Sequence, residues 1–299
     1  MEAVAVHAVT KTFGDARAVD GLNLSVPRGA VFGLLGPNGS GKTTTIRMIL
    51  QIILPDEGSI EVLGAPLDEK GKQRIGYLPE ERGLYRGMTV GDQLVFFGQL
   101  RGLSASAARD RSHRWLERFD AVDWFGRKVQ ELSKGMQQKV QFIGTILHDP
   151  DLVILDEPFS GLDPVNTRLL KDVMLELRDR GCTVIFSTHQ MEQVERSCDS
   201  ICLMNKGRAV VQGEVAAIRR DHGANTVHVE YAGNLPRDRI APLTETLDDH
   251  GHYAEIRLRS EEDASPLLRI LVDSVDVRRF ETSEASMHDI FIRLVEEKR

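Results

Sequence analysis

The chain has 299 residues, of which 41% are hydrophobic and 28% are charged, and its formal net charge is −7. This composition predicts a globular protein with a sizeable core and enough length for two domains. The acidic balance, without a long basic block, argues against a dedicated nucleic-acid-binding protein. The three cysteines, Cys182, Cys198 and Cys202, are an odd, sparse set that suits a reducing cytosol rather than a disulfide framework.

No segment predicts an export signal or a membrane anchor. The first residues, MEAVAVHAVTK, lack a basic segment followed by an apolar core, so we expect no signal peptide. The longest apolar-leaning run, VQFIGTILH, is far shorter than the ~20 residues that a membrane span needs. If the protein acts at a membrane, we expect another chain to supply the membrane part.

A phosphate-binding loop follows the first predicted strands. Residues 3–35 predict three short strands, VAVHAV, GLNLSV and AVFGLL, and GPNGSGKTT follows at 36–44. The next segment, TTTIRMILQIIL, has apolar residues at helical spacing, so the loop joins a buried strand to a helix. Its pattern, G-x-x-x-x-G-K-T, is that of a P-loop, whose glycines let backbone N–H groups converge on phosphate oxygens. The predicted nucleotide-binding residues are Gly36, Pro37, Asn38, Gly39, Ser40, Gly41, Lys42, Thr43 and Thr44.

Two carboxylates complete the predicted phosphate site. LVILDE, residues 152–157, reads as a buried strand that ends in Asp156 and Glu157. In P-loop α/β folds this end of the strand lies beside the phosphates. Asp156 and the hydroxyl of Thr43 are candidate Mg²⁺ ligands, and Lys42 is expected to reach the outer phosphates. Glu157 fits a base that orients and polarises the attacking water.

The periodicity predicts an α/β fold with two domains. Residues 89–148 carry an almost wholly helical pattern, which predicts a helical subdomain at about 82–149. The α/β alternation then resumes with LVILDE, a helix capped by Asp163, and TVIFST. Beyond about residue 222 the pattern reads strand, strand, helix, strand, helix. We therefore predict a P-loop NTPase domain at 1–222 with an inserted helical subdomain, and a small α+β domain at 223–299.

A second candidate anion site lies in ELSKGMQQKV, residues 131–140. Ser133 and Gly135 stand at the start of a predicted helix, and a helix N-terminus favours anions. A chain with a P-loop and this second anion site resembles the nucleotide-binding subunits of ABC transporters. In that family two subunits enclose two ATP molecules head to tail, and the signature motif of one subunit closes over the γ-phosphate held by the other. The resemblance covers residues 3 to about 222 and implies that Ser133, Lys134 and Gly135 act across the dimer.

Three further segments match motifs of the same family. FSGLDP matches the D-loop, which implies that Asp163 lies at the dimer interface. STHQMEQVE matches the segment of the switch histidine, so His189 is expected to contact the γ-phosphate and support hydrolysis. KTFGDARAVDG resembles the segment whose aromatic side chain stacks on adenine, here Phe13. The resemblance also implies an antiparallel β subdomain beside the P-loop core, with ATP and Mg²⁺ as cofactors.

Two positions depart from the usual family motifs. The signature, usually LSGGQ, is LSKGM here, so Lys134 adds a positive charge that is expected to face phosphate. The glutamine that usually touches Mg²⁺ and reports to the transmembrane partner is replaced by Glu80 in GYLPEERGLY. Glu80 is a third candidate Mg²⁺ ligand, because a carboxylate oxygen can ligate Mg²⁺. A carboxylate cannot, however, donate a hydrogen bond as an amide does.

These variants are similar to those of an exporter-type branch, including sodium and drug efflux ATPase subunits, whose members also carry a C-terminal domain. The resemblance implies an ATPase subunit that powers export by a separate permease, works as a homodimer and binds no nucleic acid. It also implies a peripheral location on the cytoplasmic face of the cell membrane, with membrane contact only through the permease. By resemblance, the coupling surface lies around residues 80–103.

Two other classes compete with this interpretation. A soluble ABC-type ATPase could act in DNA repair or translation, but one cassette with a short spacing between Lys42 and Ser133 leaves no room for the long coiled coil of repair members. A regulatory module that binds ATP without transport is the second, and co-purification with a membrane chain would separate it from a transporter subunit. A GTPase is disfavoured, because NKGR at 205–208 lacks the N-K-x-D guanine pattern.

Overall fold

The computed structural model describes residues 2–81, 83–195, 197–222 and 226–283, together with residues 287, 290, 291 and 294. The chain divides into two compact units, residues 1–214 and 215–299. The division falls at the start of helix Val215–His222, and the predicted domain limit at residue 222 falls at the end of the same helix. Among the described residues, no helix has the length and apolar character needed to cross a membrane.

Two β-sheets form the framework of the first unit. Its strands are β1 (Glu2–Phe13), β2 (Ala16–Pro27), β3 (Val31–Leu35), β4 (Glu57–Val62), β5 (Ile75–Leu78), β6 (Leu152–Asp156), β7 (Thr183–Thr188), β8 (Ser200–Asn205) and β9 (Arg208–Glu214). The six-stranded sheet has the order β5-β6-β7-β3-β8-β9 and is parallel apart from the β8–β9 hairpin. The three-stranded sheet, β2-β1-β4, is antiparallel. This arrangement confirms the predicted α/β core and its antiparallel β subdomain.

The central strands bring three chain segments to one edge of the large sheet. Every residue of β3, β6 and β7 is buried, as expected for parallel strands whose two faces are both covered. The register pairs Leu35 with Thr188 and Asp156 with Ser187. The segments that leave the carboxyl ends of these strands therefore emerge side by side.

Helices cover the sheets and form the predicted helical block. The helices of the first unit are α1 (Lys42–Ile49), α2 (Glu69–Gln73), α3 (Val90–Leu100), α4 (Ala105–Arg118), α5 (Lys134–Ile146), α6 (Pro164–Asp179) and α7 (Glu192–Glu195). The three helices of the block, α3, α4 and α5, each begin at a hydroxyl side chain, from Thr89, Ser104 and Ser133 respectively. Each hydroxyl accepts a backbone N–H of the first helical turn, which explains why the helices begin at these residues.

Helix α1 is shorter than predicted. Its buried face, which includes Ile46 and Ile49, packs in one core with residues of both sheets. The predicted continuation through QIIL is wrong, because Gln51 adopts a left-handed backbone with a φ of 53°. Two of the apolar side chains beyond it are exposed, Ile52 by 56% and Leu54 by 67%, while Ile53 packs against the core without being helical.

The second unit contains an antiparallel sheet of four strands in the order β11-β12-β10-β13. Its elements are α8 (Val215–His222), β10 (Thr226–Ala232), α9 (Arg237–Ile240), β11 (Thr244–Asp249), β12 (Tyr253–Leu258), α10 (Ala264–Val272) and β13 (Asp276–Ser283). A core that includes Val227, Ile256 and Leu267 lies between this sheet and α10. This arrangement confirms the predicted α+β class of the second unit. Strand β11 was not predicted from the sequence. Most of the predicted last helix lies outside the described residues.

Candidate active site

The P-loop joins β3 to α1 through backbone conformations that only glycine fits at two positions. Gly36 has a φ of 147° and Gly41 a φ of 103°. A Cβ atom on Gly36 would lie 2.3 Å from the carbonyl oxygen of Met204, and one on Gly41 would lie 2.5 Å from that of Ala18. Helix α1 begins after Gly41, and no described side chain caps it, which leaves its first turn available to an anion.

Lys42 is held inside the loop by its own backbone. Its side chain is 6% exposed, and Nζ donates hydrogen bonds to the carbonyl oxygens of Gly36 (2.8 Å) and Pro37 (3.1 Å). Nζ also lies 4.0 Å from Oε1 of Glu157. Burial lowers the pKa of Lys42, while the surrounding carboxylates oppose that shift. The ammonium group is therefore a buried cation whose present acceptors are mostly neutral, and a phosphate oxygen would be a better partner.

Asp156 ends β6, and its two carboxylate oxygens have different surroundings. The residue is 1% exposed, and its Oδ1 atom accepts from the hydroxyls of Ser187 (2.5 Å) and Thr43 (3.3 Å). Within the described part of the chain its Oδ2 atom has no hydrogen-bond partner. A buried carboxylate oxygen without a partner is costly, and hard oxygen donors are the ligands that Mg²⁺ prefers.

The donor set around Asp156 therefore fits Mg²⁺. No group of three or more histidine, cysteine, aspartate or glutamate side chains among the described residues could hold a metal alone. Mg²⁺ is commonly bound by one or two carboxylates together with substrate phosphates, so Thr43 and Asp156 could hold it when a nucleotide supplies the other oxygens.

Glu157 leaves β6 in a left-handed conformation and meets His189. Its φ is 48°, and its Oε1 atom lies 2.9 Å from Nδ1 of His189, the residue that follows β7. The Glu157 side chain is 12% exposed and that of His189 is 47% exposed. The two side chains thus form a polar pair at the mouth of the site, with the carboxylate on the protected side.

These residues surround one pocket of about 380 Å³. Its walls include nine residues that the sequence predicted, namely Asn38, Gly39, Gly41, Lys42, Thr43, Thr44, Glu80, Glu157 and His189. Glu80 therefore lines the same pocket as the P-loop. Gly36, Pro37, Ser40 and Asp156 do not line the pocket. Ser40 and Asp156 are buried, and Gly36 and Pro37 hold the Lys42 ammonium.

Five other predicted residues lie away from this pocket. Ser133 caps α5 by accepting the backbone N–H of Met136, and neither it nor Lys134 or Gly135 lines the pocket. Asp163 caps α6, where the N–H of Asn166 lowers the pKa of its carboxyl. Phe13, at the end of β1, is 51% exposed with Nζ of Lys11 5.6 Å from its ring centroid, and it also does not line the pocket.

Three residues at the site were not predicted from the sequence. Ala18 and Ser160 line the pocket, and Ser187 bonds Asp156 from the neighbouring strand. Ser160 stands in FSGLDP, three positions after Glu157, and that short distance could have indicated it. Ala18 and Ser187 carry no local signal, because their places depend on how the strands pair.

Comparisons with known proteins agree with this geometry. A family model described as "ABC transporter" matches residues 19–160, and one described as "ATP-binding protein DrrA1-3-like, C-terminal domain" matches residues 213–295. The chain is 46% identical over 294 residues to the uncharacterized ABC transporter ATP-binding protein YhaQ of Bacillus subtilis (strain 168), which covers 97% of both chains. It is 34% identical over 302 residues to the Nod factor export ATP-binding protein I of Ralstonia nicotianae, covering 97% of this chain and 93% of the relative.

A solved structure supports the same assignment. The structure titled "Structure of ATP binding subunit of ABC transporter" superposes with a TM-score of 0.68 at 32% identity, covering 73% of this chain and 92% of the other. Subunits of this family bind and hydrolyse ATP and work with separate transmembrane permease chains. The chain therefore belongs to the ATP-binding subunits of ABC transporters, and it is an ATPase that carries a DrrA-like C-terminal domain.

Proposed function

We propose that two copies of this chain close head to tail around two ATP molecules and drive export by a separate permease. The carrying observation is the pocket itself, which holds Lys42, Glu157 and His189 but no residue of the signature segment 133–135. Among the described residues, an ATP molecule in this pocket would meet the P-loop and the segments that follow β6 and β7, but not the signature segment of its own chain. The signature segment of a second copy would supply the missing side, as the family resemblance implies.

The proposed site uses Mg²⁺ together with ATP. Thr43 and Asp156 would hold the cation, and Mg²⁺ would offset the negative charge of the phosphate oxygens. Lys42 would exchange its two carbonyl acceptors for phosphate oxygens. Phe13 is proposed to stack on adenine, since its exposed ring stands at the end of β1.

Glu157 is proposed as the base that orients the attacking water. Its carboxylate is partly shielded from solvent, and the contact with His189 fixes the rotation of its side chain. The carboxylate is therefore oriented before the water arrives, which is the condition for efficient general-base catalysis. His189 would also face the terminal phosphate, because it lines the same pocket.

A groove on the helical block is proposed to receive the permease. It has a volume of about 260 Å³, and its lining includes Tyr77, Phe97, Leu100 and Gln141. Leu100 is 62% exposed, and Tyr85 on the nearby loop is 56% exposed. Large apolar side chains left in water at one place favour a protein partner. A permease bound here would keep the chain at the cytoplasmic face of the membrane, as a peripheral homodimer.

Export is proposed as the direction of transport. The supporting observation is the similarity to Nod factor export ATP-binding proteins over nearly the whole chain, including the C-terminal unit. The C-terminal unit matches a family model that takes its name from DrrA-type ATP-binding proteins.

Membrane retention of a tagged chain tests this proposal. We expect the chain to co-purify in detergent with a membrane protein of about six spans, and Leu100→Glu to lose that partner because a charge would enter the apolar groove. Val122→Glu is the matched control, since Val122 is 46% exposed on the helical block but does not line the groove. Equal retention of the wild-type chain and both variants would contradict the proposal that the permease binds in the groove. Absence of any membrane partner would contradict the transport role.

A further inference from the structure

A buried serine hydroxyl of strand β7 lies beside the point where the chain leaves strand β6 and enters the active site. Ser187, in β7, has no exposed surface. Its hydroxyl donates a hydrogen bond to Oδ1 of Asp156 at 2.5 Å, and its Oγ atom accepts the backbone N–H of Glu157 at 2.9 Å. A buried hydroxyl is unfavourable unless it is hydrogen-bonded, and here both bonds go to the two acidic residues of the site.

The backbone at Glu157 needs such a support. A φ of 48° is sparsely populated for a residue other than glycine and persists only where the surroundings hold it. If strand β6 continued through Glu157, the alternation of side chains along the strand would place the side chain of Glu157 on the opposite face of the sheet from that of Asp156. The left-handed turn instead directs Oε1 to within 2.9 Å of His189 Nδ1 and 4.0 Å of Lys42 Nζ.

The same hydroxyl fixes the orientation of the Asp156 carboxylate. Because Ser187 occupies Oδ1 together with Thr43, the other oxygen, Oδ2, is the one left without a partner among the described residues. That oxygen is the natural candidate for a contact with Mg²⁺ or its water shell. One side chain therefore orients a carboxylate and anchors the adjacent turn.

We propose that Ser187 is a positioning residue of the ATPase site. Its hydroxyl holds the Asp156 carboxylate for Mg²⁺-nucleotide and holds the Glu157 backbone so that the Glu157 carboxylate faces the pocket. Ser187 acts through these two residues and does not touch the nucleotide. The proposal rests on the roles proposed for Asp156 and Glu157, but it requires neither the dimer nor the permease.

The test compares nucleotide binding with and without Mg²⁺. The probe is AMP-PNP, which is not hydrolysed, titrated by calorimetry into wild type and Ser187→Ala in excess Mg²⁺ and in EDTA. In EDTA the two chains should bind alike, because the P-loop is unchanged. With Mg²⁺ the variant should bind about tenfold more weakly than wild type, the size expected for a lost hydrogen bond to a charged group. Its kcat should fall by about tenfold or more for the same reason.

Two further variants separate positioning from general stability. Ser187→Thr keeps the hydroxyl and should restore Mg²⁺-dependent binding and kcat to within about threefold of wild type. Thr183→Val is the matched control, because the Thr183 hydroxyl is buried in the same strand and accepts the backbone N–H of Gly29 at 2.9 Å. This control should lower thermal stability but leave the Mg²⁺ dependence of binding unchanged.

Three results would overturn the proposal. Ser187→Ala could keep the wild-type gain in affinity on adding Mg²⁺, or it could lose affinity equally in EDTA, which would assign Ser187 to the fold alone. Thr183→Val could also reproduce the whole effect. If Ser187→Ala does not fold, Ser187→Cys replaces it, since the thiol keeps similar volume but is a weaker donor. A failed dimer or permease assay leaves this binding comparison unaffected, so the two proposals fail separately.

Discussion

The Nδ1 atom of His189 lies 2.9 Å from the Oε1 atom of Glu157, across the neighbouring ends of β7 and β6. The pair joins a half-exposed imidazole to a carboxylate that is 12% exposed and 4.0 Å from the Lys42 ammonium. The carboxylate is therefore oriented by an imidazole on one side and an ammonium group nearby. A general base is effective only within hydrogen-bond reach of its water, so loss of this contact should affect the chemical step rather than binding.

Replacing the imidazole tests that distinction. His189→Ala should lower kcat by about 100-fold, the lower end of the range for general acid–base groups, and should change ATP affinity far less than kcat. Steady-state ATPase assays and nucleotide titration measure the two effects. Gln190→Ala, at the next exposed position, should behave as wild type. An equal kcat in His189→Ala and wild type would rule out the pair as part of the catalytic arrangement.

Complementation between two inactive variants tests whether the site is completed by a second copy. Lys42→Ala removes the P-loop cation, and Gly135→Glu places a carboxylate where a partner's phosphate is expected. Among the residues that the structure describes, a Cβ atom at Gly135 would meet only Leu162, at 3.8 Å. An acidic residue also suits the first turn of α5, so this variant should fold. Each variant alone should be inactive, and an equal mixture should recover up to about a quarter of wild-type ATPase activity, since half of the dimers carry one intact site of two. A mixture as inactive as its components would show that the two motifs do not act across a dimer.

The unusual carboxylate at Glu80 should weaken nucleotide binding. Glu80 lines the pocket and is one of the acids that raise the pKa of Lys42 against the effect of burial. Glu80→Gln removes a negative charge beside the triphosphate and should tighten ATP binding about threefold in EDTA, with a smaller gain when Mg²⁺ offsets the phosphate charge. The control is Glu81→Gln, an exposed neighbour outside the pocket lining. Unchanged or weaker binding by Glu80→Gln in EDTA would contradict this electrostatic role.

The stability of the chain should fall in mild acid because of His148. Burial lowers the pKa of His148 to about 4, and the neighbouring Arg101 adds to the shift. In the unfolded chain the pKa is about 6.5, so between these values the unfolded state binds a proton that the folded state does not. Stability therefore decreases as pH falls, by about 2 kcal/mol between pH 7 and pH 5 from this residue. Urea unfolding of wild type and His148→Gln at both pH values measures the difference, and equal pH dependence in the two chains would contradict it.

The local patterns of the sequence were sufficient for the P-loop and the strand ends. Residues Gly36 to Thr44 are consecutive, so their pattern is visible directly in the sequence. The apolar run LVIL likewise predicts a buried strand that ends at Asp156 and Glu157. Neither prediction needed information from distant parts of the chain. The Asp163 cap likewise follows from the residue itself, because its side chain accepts the backbone N–H of Asn166, three positions further on. Such features depend on neighbours along the chain, which a sequence shows directly.

Features that depend on pairing between distant segments were not predictable in the same way. Ser187 meets Asp156 only because β7 pairs with β6 in one register. Ala18 reaches the P-loop through the β1–β2 sheet, whose register shifts several times. Strand β11 was missed because it is an edge strand rich in acidic residues, without the apolar alternation that marks a half-buried strand.

The association state of Glu157→Gln with Mg²⁺-ATP tests the central claim most directly, because blocking hydrolysis should trap the closed pair. Sedimentation velocity should show the variant as a dimer with Mg²⁺-ATP and as a monomer without nucleotide, while Glu157→Gln combined with Gly135→Glu stays monomeric. A variant that binds Mg²⁺-ATP but remains monomeric, alongside a wild-type chain that hydrolyses ATP at full rate as a monomer, would contradict the two-chain site.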